Sequence, residues 1–418
     1  MKFNRLITLI LIIQIVFYSC NPKSDDPKPD PNNEEIVFNP TEEGGLVSYE
    51  KITDVTASSI QGTVSLASVL GFELNTSVVK YPVDVYKIEY MMTYKGSLTK
   101  ASGLLAVPNI STSLNIPAFS FQHGTILLKS EAPSLDLANT LLPLELYLPA
   151  SLGMMAVVPD YIGFGSSSSI YHPYYVKEPA ALSIVDLLKA AKNFVNQKYK
   201  NLTINQKAYL VGYSQGGYTT LAAHQYLTQN PAASTFTEFT SYAASGGYDL
   251  PLMQEIISKR TNYDQPYYLG YILKAYQTHY GISSPTWADV IKAPYNTQIE
   301  ALMDGTKSGT EVNAALTTTV ANLFTQNFLT NYSTDAVFAN LRNKLNENSL
   351  NKVPSSRPLF LYHGTGDTWV FPETSKSTYD SLMTKGSTNI SYIEVNGNHS
   401  SGFISFANDV FKKLVSSL

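Results

Sequence analysis

Leu210-Val211-Gly212-Tyr213-Ser214-Gln215-Gly216-Gly217 decides the architecture of this chain. A hydrophobic run, Lys207-Ala208-Tyr209-Leu210-Val211, leads into it, and a helix-like run from Tyr218 to Leu227 leads out. G-x-S-x-G gains its meaning between a strand and a helix, where a sharp turn pushes the serine side chain into a cleft. The turn brings the two backbones close together, so small residues are needed on both sides, and Gly212 and Gly216 supply them. The amides that open the helix behind Ser214 point at the same spot and favour a developing negative charge. Ser214 is therefore the candidate nucleophile.

A serine hydroxyl needs a base to take its proton, and the base needs a group to orient it. Beyond the helix of Ser214 there are three histidines, His279, His363 and His399. His399 lies in the polar loop Asn396-Gly397-Asn398-His399-Ser400-Ser401-Gly402, after the strand-like Ile390 to Val395 and before a helix read from Phe403 to Leu418. That setting suits a base which must also return the proton. His363 sits in Pro358-Leu359-Phe360-Leu361-Tyr362-His363-Gly364-Thr365-Gly366-Asp367, a buried strand with a glycine-marked exit. Asp367 is then presented at the strand's end as the orienting acid, with His363 packed beneath the loop. Glu373 and Glu394 are rival acids, but Glu394 projects from a sheet face. His279 falls in an aromatic helical stretch. An oxyanion hole takes one donor from the residue after the nucleophile, Gln215, and one from the loop after an earlier strand. Ile116 to Gln122 followed by His123-Gly124-Thr125 fits, with Gly124 allowing close approach and Thr125 the preferred amide.

The chain resembles the α/β-hydrolase superfamily and, within it, the secretory lipase-type branch. The resemblance rests on Gly212-Tyr213-Ser214-Gln215-Gly216-Gly217, Pro159-Asp160-Tyr161-Ile162-Gly163-Phe164-Gly165, Tyr171-His172-Pro173-Tyr174 and a large insertion ahead of the acid. It spans roughly residues 80–418. It implies that the acid and histidine follow the serine in the chain, so that Ser214, Asp367 and His399 match the triad, and that the reaction is carboxylic ester hydrolysis. The His123-Gly124-Thr125 turn looks like the general hydrolase form and not a dedicated lipase pattern.

The rest of the pattern alternates strand and helix, as a mostly parallel sheet flanked by helices requires. Val83 to Tyr94 and Leu98 to Val107 read as an antiparallel pair around Lys95-Gly96, and Pro179 to Tyr199 reads as a helix crossing to the nucleophile strand. Asp160 is expected to cap the turn after the strand at Met154 to Pro159. Residues 248–353 break the alternation with helical runs and no strand. They read as a helical cap inserted between core segments 46–247 and 354–418, and their tyrosines (Tyr267, Tyr268, Tyr271, Tyr276, Tyr280) line a pocket or pack cap against core.

Lys2 and Arg5 followed by the apolar Leu6 to Tyr18 form an export signal over residues 1–20. The single cysteine, Cys20, ends it, which excludes an internal disulfide framework. The arrangement resembles a bacterial lipoprotein signal, which implies lipidation at Cys20 and a membrane anchor, in the outer membrane or at the cell surface. Residues 21–45, with Pro22, Pro27, Pro29, Pro31 and Pro40 among charged residues, read as a disordered tether. A net charge of −4 with 15% charged residues speaks against nucleic-acid binding. The expected protein is a monomeric, lipid-anchored serine esterase acting on a small-molecule, lipid or acylated-sugar ester without metal or organic cofactor. A peptidase of the same fold and a non-catalytic surface binding lipoprotein are the rival readings.

Overall fold

Alternating burial along the central strands sets the layers of this protein. In the computed structural model, which describes residues 36–418, Ile116 and Ala118 enter one apolar cluster while Phe119 and Phe121 enter another. Ala208 and Leu210 divide in the same way from Tyr209, Val211 and Tyr213. Both faces of the sheet are therefore covered, as a parallel sheet demands. The export stretch, Cys20 and the tether up to residue 35 lie outside the described residues.

The chain forms β1 (Leu46–Val55), α1 (Ala57–Val69), β2 (Val83–Tyr94), β3 (Ser97–Pro108), β4 (Leu114–Gln122), β5 (Met155–Pro159), α2 (Lys177–Lys198), β6 (Leu202–Tyr213), α3 (Gln215–Gln229) and β7 (Glu238–Ala244). The strands lie in the order β1-β2-β3-β5-β4-β6-β7, followed by β8 (Leu359–Gly364) and β9 (Ile390–Val395). The members from β5 to β9 are parallel, and β1, β2 and β3 join antiparallel. The expected hairpin pairs Val83 with Pro108 and Tyr94 with Ser97. Lys95 and Gly96 turn it with φ of 51° and 76°, the positive pair that a two-residue turn matching strand twist requires.

Between β7 and β8 the chain is helical, with α4 (Leu250–Ser258), α5 (Tyr267–Tyr280), several shorter helices and α6 (Ala339–Asn348). Two isolated bridges are the only β pairing there among the described residues. The apolar side chains of this insertion join the same cluster as α2 and α3. The insertion is also tied to the excursion between β4 and β5. The Lys129 amide donates to the Gly305 carbonyl at 2.9 Å, and the Tyr271 hydroxyl donates to the Ile126 carbonyl at 3.3 Å.

Three expectations need correction. The tether does not run to residue 45: Ile36 is buried, the Val37 amide bonds Gln197 at 2.7 Å, and the Gly44 amide bonds the Met91 carbonyl at 2.8 Å. Asp160 does not cap its own turn. Its carboxylate is buried and accepts from the Ser102 hydroxyl at 2.5 Å and from the Ser134 amide and hydroxyl at 2.8 and 2.6 Å, pinning the excursion to the strand ends. The last helix, α8 (His399–Ser417), follows α7 (Pro372–Thr384) and starts at His399, not Phe403. Asn398 causes this by accepting the Ser400 and Ser401 amides at 3.1 and 3.0 Å, which satisfies orphan donors of the first turn.

Candidate active site

Adjacent parallel strands end at one edge of the sheet, and their C-terminal exits carry the chemistry. β4 ends in His123-Gly124-Thr125, β6 in Ser214, β8 in the loop to Asp367 and β9 in the turn to His399. Ser214 holds φ 59° and ψ −125°, a conformation rare outside glycine that costs roughly 1–3 kcal/mol and is kept only where the surroundings enforce it. They do so here. Its amide donates to the Ala244 carbonyl at 2.9 Å and its carbonyl accepts from the Tyr218 amide at 3.1 Å. A Cβ on Gly216 would stand 1.8 Å from the Gln122 carbonyl oxygen, and one on Gly212 2.2 Å from the Gly216 oxygen. Only glycine lets β4, β6 and α3 approach this closely.

His399 and Asp367 come within reach of the serine. His399 Nε2 lies 3.0 Å from Ser214 Oγ, and His399 Nδ1 lies 2.6 Å from Asp367 Oδ2. The bond to the carboxylate fixes the proton on Nδ1 and leaves Nε2 to accept the serine proton. Asp367 Oδ1 accepts the Trp369 and Val370 amides, both at 3.0 Å. Burial opposes its ionisation, but hydrogen bonds and charge from His363 and His399 prevail and hold the carboxyl well below the usual carboxylate range. All three side chains are nearly enclosed, Ser214 at 6%, Asp367 at 4% and His399 at 7% exposure.

The neighbouring histidines divide as expected. His363 donates from Nε2 to the Val370 carbonyl at 2.8 Å and accepts at Nδ1 from Ser375 at 2.6 Å, beneath the acid loop. His279 stays on α5 and meets the Tyr94 hydroxyl at 3.0 Å. Glu373 and Glu394 are exposed and away from the imidazole's bonds. Gln215 opens α3, so its amide is among the orphan donors of that helix. Gly124 faces the nucleophile: a Cβ there would touch Ser214 Cβ at 3.7 Å. The Thr125 hydroxyl meets the Tyr174 hydroxyl at 2.9 Å. The tyrosines at 267, 268, 271 and 276 are buried, and Tyr271 stacks on Tyr174 with ring centres 4.2 Å apart.

Two neighbours escaped sequence reasoning. Tyr213 donates to the His399 carbonyl at 2.7 Å and so holds the start of α8. Trp369 packs on the His399 ring at 5.0 Å. Tyr213 stood inside the motif but in a position that the motif leaves free, and no local signal marks Trp369.

A mostly parallel sheet with a strained serine between strand and helix, and with acid and histidine on later strand exits, defines an α/β-hydrolase. Solved structures agree. A hydrolase from Legionella pneumophila, described as putative, is 27% identical, covers 88% of this chain and 97% of its own, and superposes with a TM-score of 0.74. The rice cell wall degrading esterase LipA of Xanthomonas oryzae is 22% identical over 90% of this chain and 97% of its own, with a TM-score of 0.73. Candida antarctica lipase A is 14% identical over 89% and 82%, with a TM-score of 0.61. The last two bear on the fold alone. No curated protein matches the chain. The secretory lipase family matches residues 137–409, more than half of the chain. The chain belongs to that family and is a carboxylic ester hydrolase. The family's secretory description agrees with export, and no helix among the described residues is long and apolar enough to cross a membrane.

Proposed function

We propose that Ser214, His399 and Asp367 act as a catalytic triad that cleaves carboxylic esters through an acyl-enzyme. His399 Nε2 takes the Ser214 proton as Oγ bonds to the ester carbonyl carbon. The same proton passes to the leaving alcohol as the old C–O bond breaks. Water then attacks the acyl-enzyme by the same route and releases the acid and the serine. Asp367 orients the imidazole and stabilises its charged form. The amides of Gln215 and Thr125 hold the oxyanion, with Gly124 keeping the backbone close enough. The reading is supported above all by the continuous path from Asp367 through His399 to Ser214, at 2.6 and 3.0 Å.

Residues 248–353 serve as the cap that excludes water and shapes the substrate. Cys20 carries the lipid that anchors a monomeric enzyme to the membrane, and its substrate is a lipid, acylated-sugar or small ester. A panel of p-nitrophenyl esters and aminoacyl amides tests the chemistry, with fluorophosphonate labelling beside it. Ester turnover and labelling that both vanish in Ser214→Ala are expected. Faster amide than ester turnover, or a wild type that does not label, overturns the reading. Release of Cys20→Ala from the membrane fraction tests the anchor.

A further inference from the structure

We infer that His123, Tyr161 and His172 form a three-ring stack that joins both walls of the oxyanion hole, with Tyr161 and His172 as positioning residues for ester hydrolysis. The inference rests on the function proposed above. Tyr161 stacks on His123 with ring centres 4.2 Å apart and planes 27° apart, and on His172 at 6.0 Å and 19°. Each ring then grips a piece of backbone or side chain at the site.

On one side the grip is on the loop after β4. The Tyr161 hydroxyl donates to the His123 carbonyl at 2.9 Å, and His123 Nδ1 donates to the Gly124 carbonyl at 2.8 Å. A peptide is planar, so holding its carbonyl also aims the amide on its far side. The two bonds thereby orient the Gly124 and Thr125 amides in turn. His123 Nε2 is buried with no hydrogen-bond partner among the described residues, so the ring is held by its Nδ1 bond and by the stacking of its face on Tyr161. On the other side the grip is on the nucleophile helix. His172 Nδ1 donates to the Ile162 carbonyl at 2.7 Å, which leaves Nε2 to accept the Gln215 side-chain amide at 2.7 Å. Burial pushes His172 down to about 3, so it stays a neutral acceptor at working pH. Gln215 supplies the other oxyanion amide, and its side chain cannot swing without breaking this bond.

Tyr161 itself stands at φ 67°, an uncommon conformation for an aromatic residue that the local structure must impose. It follows Asp160, whose carboxylate is fully bonded, so the ring is fixed by its own backbone as well as by its neighbours. The donors are therefore placed before substrate arrives, which is what transition-state stabilisation by fixed dipoles requires.

Tyr161→Phe keeps the ring and removes the grip on the His123 carbonyl, and His172→Phe keeps the stack and frees Gln215. For each variant kcat and KM on a p-nitrophenyl ester are measured, with the inhibition constant of a trifluoromethyl ketone and the melting temperature. Each variant is expected to lose about tenfold or more in kcat, with KM within about twofold and the ketone weakened in step with kcat. Wild-type kcat in both variants overturns the inference. So does a loss confined to KM, or a loss that disappears when assays are run well below the variant's melting temperature. If wild type neither turns over esters nor labels with fluorophosphonate, it is the function reading that fails.

Discussion

Asp367 illustrates how much one side chain can do here, because both of its carboxylate oxygens have donors. Two amides hold Oδ1 and His399 holds Oδ2. Asp367→Asn keeps the shape but reverses the bond to Nδ1, so Nε2 would carry the proton and could no longer accept the serine's. A fall in kcat of about 10⁴ with little change in fold is expected from comparable triads, and steady-state kinetics with a circular dichroism melt measures it. Glu145 obeys the opposite rule. It faces an apolar cavity lined by Phe72, Phe119, Phe121 and Phe403, and burial pushes its carboxyl from 4.5 up to about 8. Between those values the folded protein keeps a proton that the unfolded chain has lost, so stability falls as pH rises, by up to about 1.4 kcal/mol per unit. Glu145→Gln should flatten that slope; identical urea-melt slopes for variant and wild type across the window would refute it. The positions of Ser214, Asp367 and His399, which the structure brings within hydrogen-bond reach, were legible because each follows a strand that declares itself by apolar residues. It misplaced the role of Asp160, whose partners Ser102 and Ser134 are distant in the chain and carry no pattern.

At the scale of elements, the start of α8 bears on both stability and chemistry. Asn398 caps it, and Tyr213 holds the His399 carbonyl. Asn398→Ala should lower stability by about 1 kcal/mol and lower kcat as well, since the imidazole is the first side chain on that helix. Denaturant melts and ester kinetics on the same preparation check both, and an unchanged kcat would show that Tyr213 alone suffices. This boundary was read late because Asn-His-Ser-Ser looks like a loop until the cap is seen to close over it. The hairpin β2–β3 and α2 were legible, since their periods of two and 3.6 persist over many residues. The helix Tyr295–Leu302 within the insertion was not read, because flanking proline and glycine hide a two-turn element with one fully buried side chain, Ile299.

For the whole molecule, the fold begins earlier than composition suggests. Proline and charge extend to Pro40, yet the segment from Ile36 to Gly45 bonds to β1 and β2 through Leu46 and Met91 and to α2 through Gln197 and Lys189, which donates to the Glu43 carbonyl at 2.6 Å. A chain starting at residue 36 should melt like the longer protein, whereas one starting at residue 46 should melt several degrees lower, because Leu46 and Met91 lose their backbone partners. Differential scanning fluorimetry distinguishes the two, and equal melting of both would return the segment to the tether. The insertion, for its part, shares one apolar cluster with α2 and α3, so composition alone could not show how firmly it is seated. The bonds from Lys129 to Gly305 and from Tyr271 to Ile126 have a mechanical corollary. They stitch two chain excursions together, so neither can shift without straining the other. If residues 248–353 cap the serine as proposed, loosening that seam from either side should admit the same larger esters.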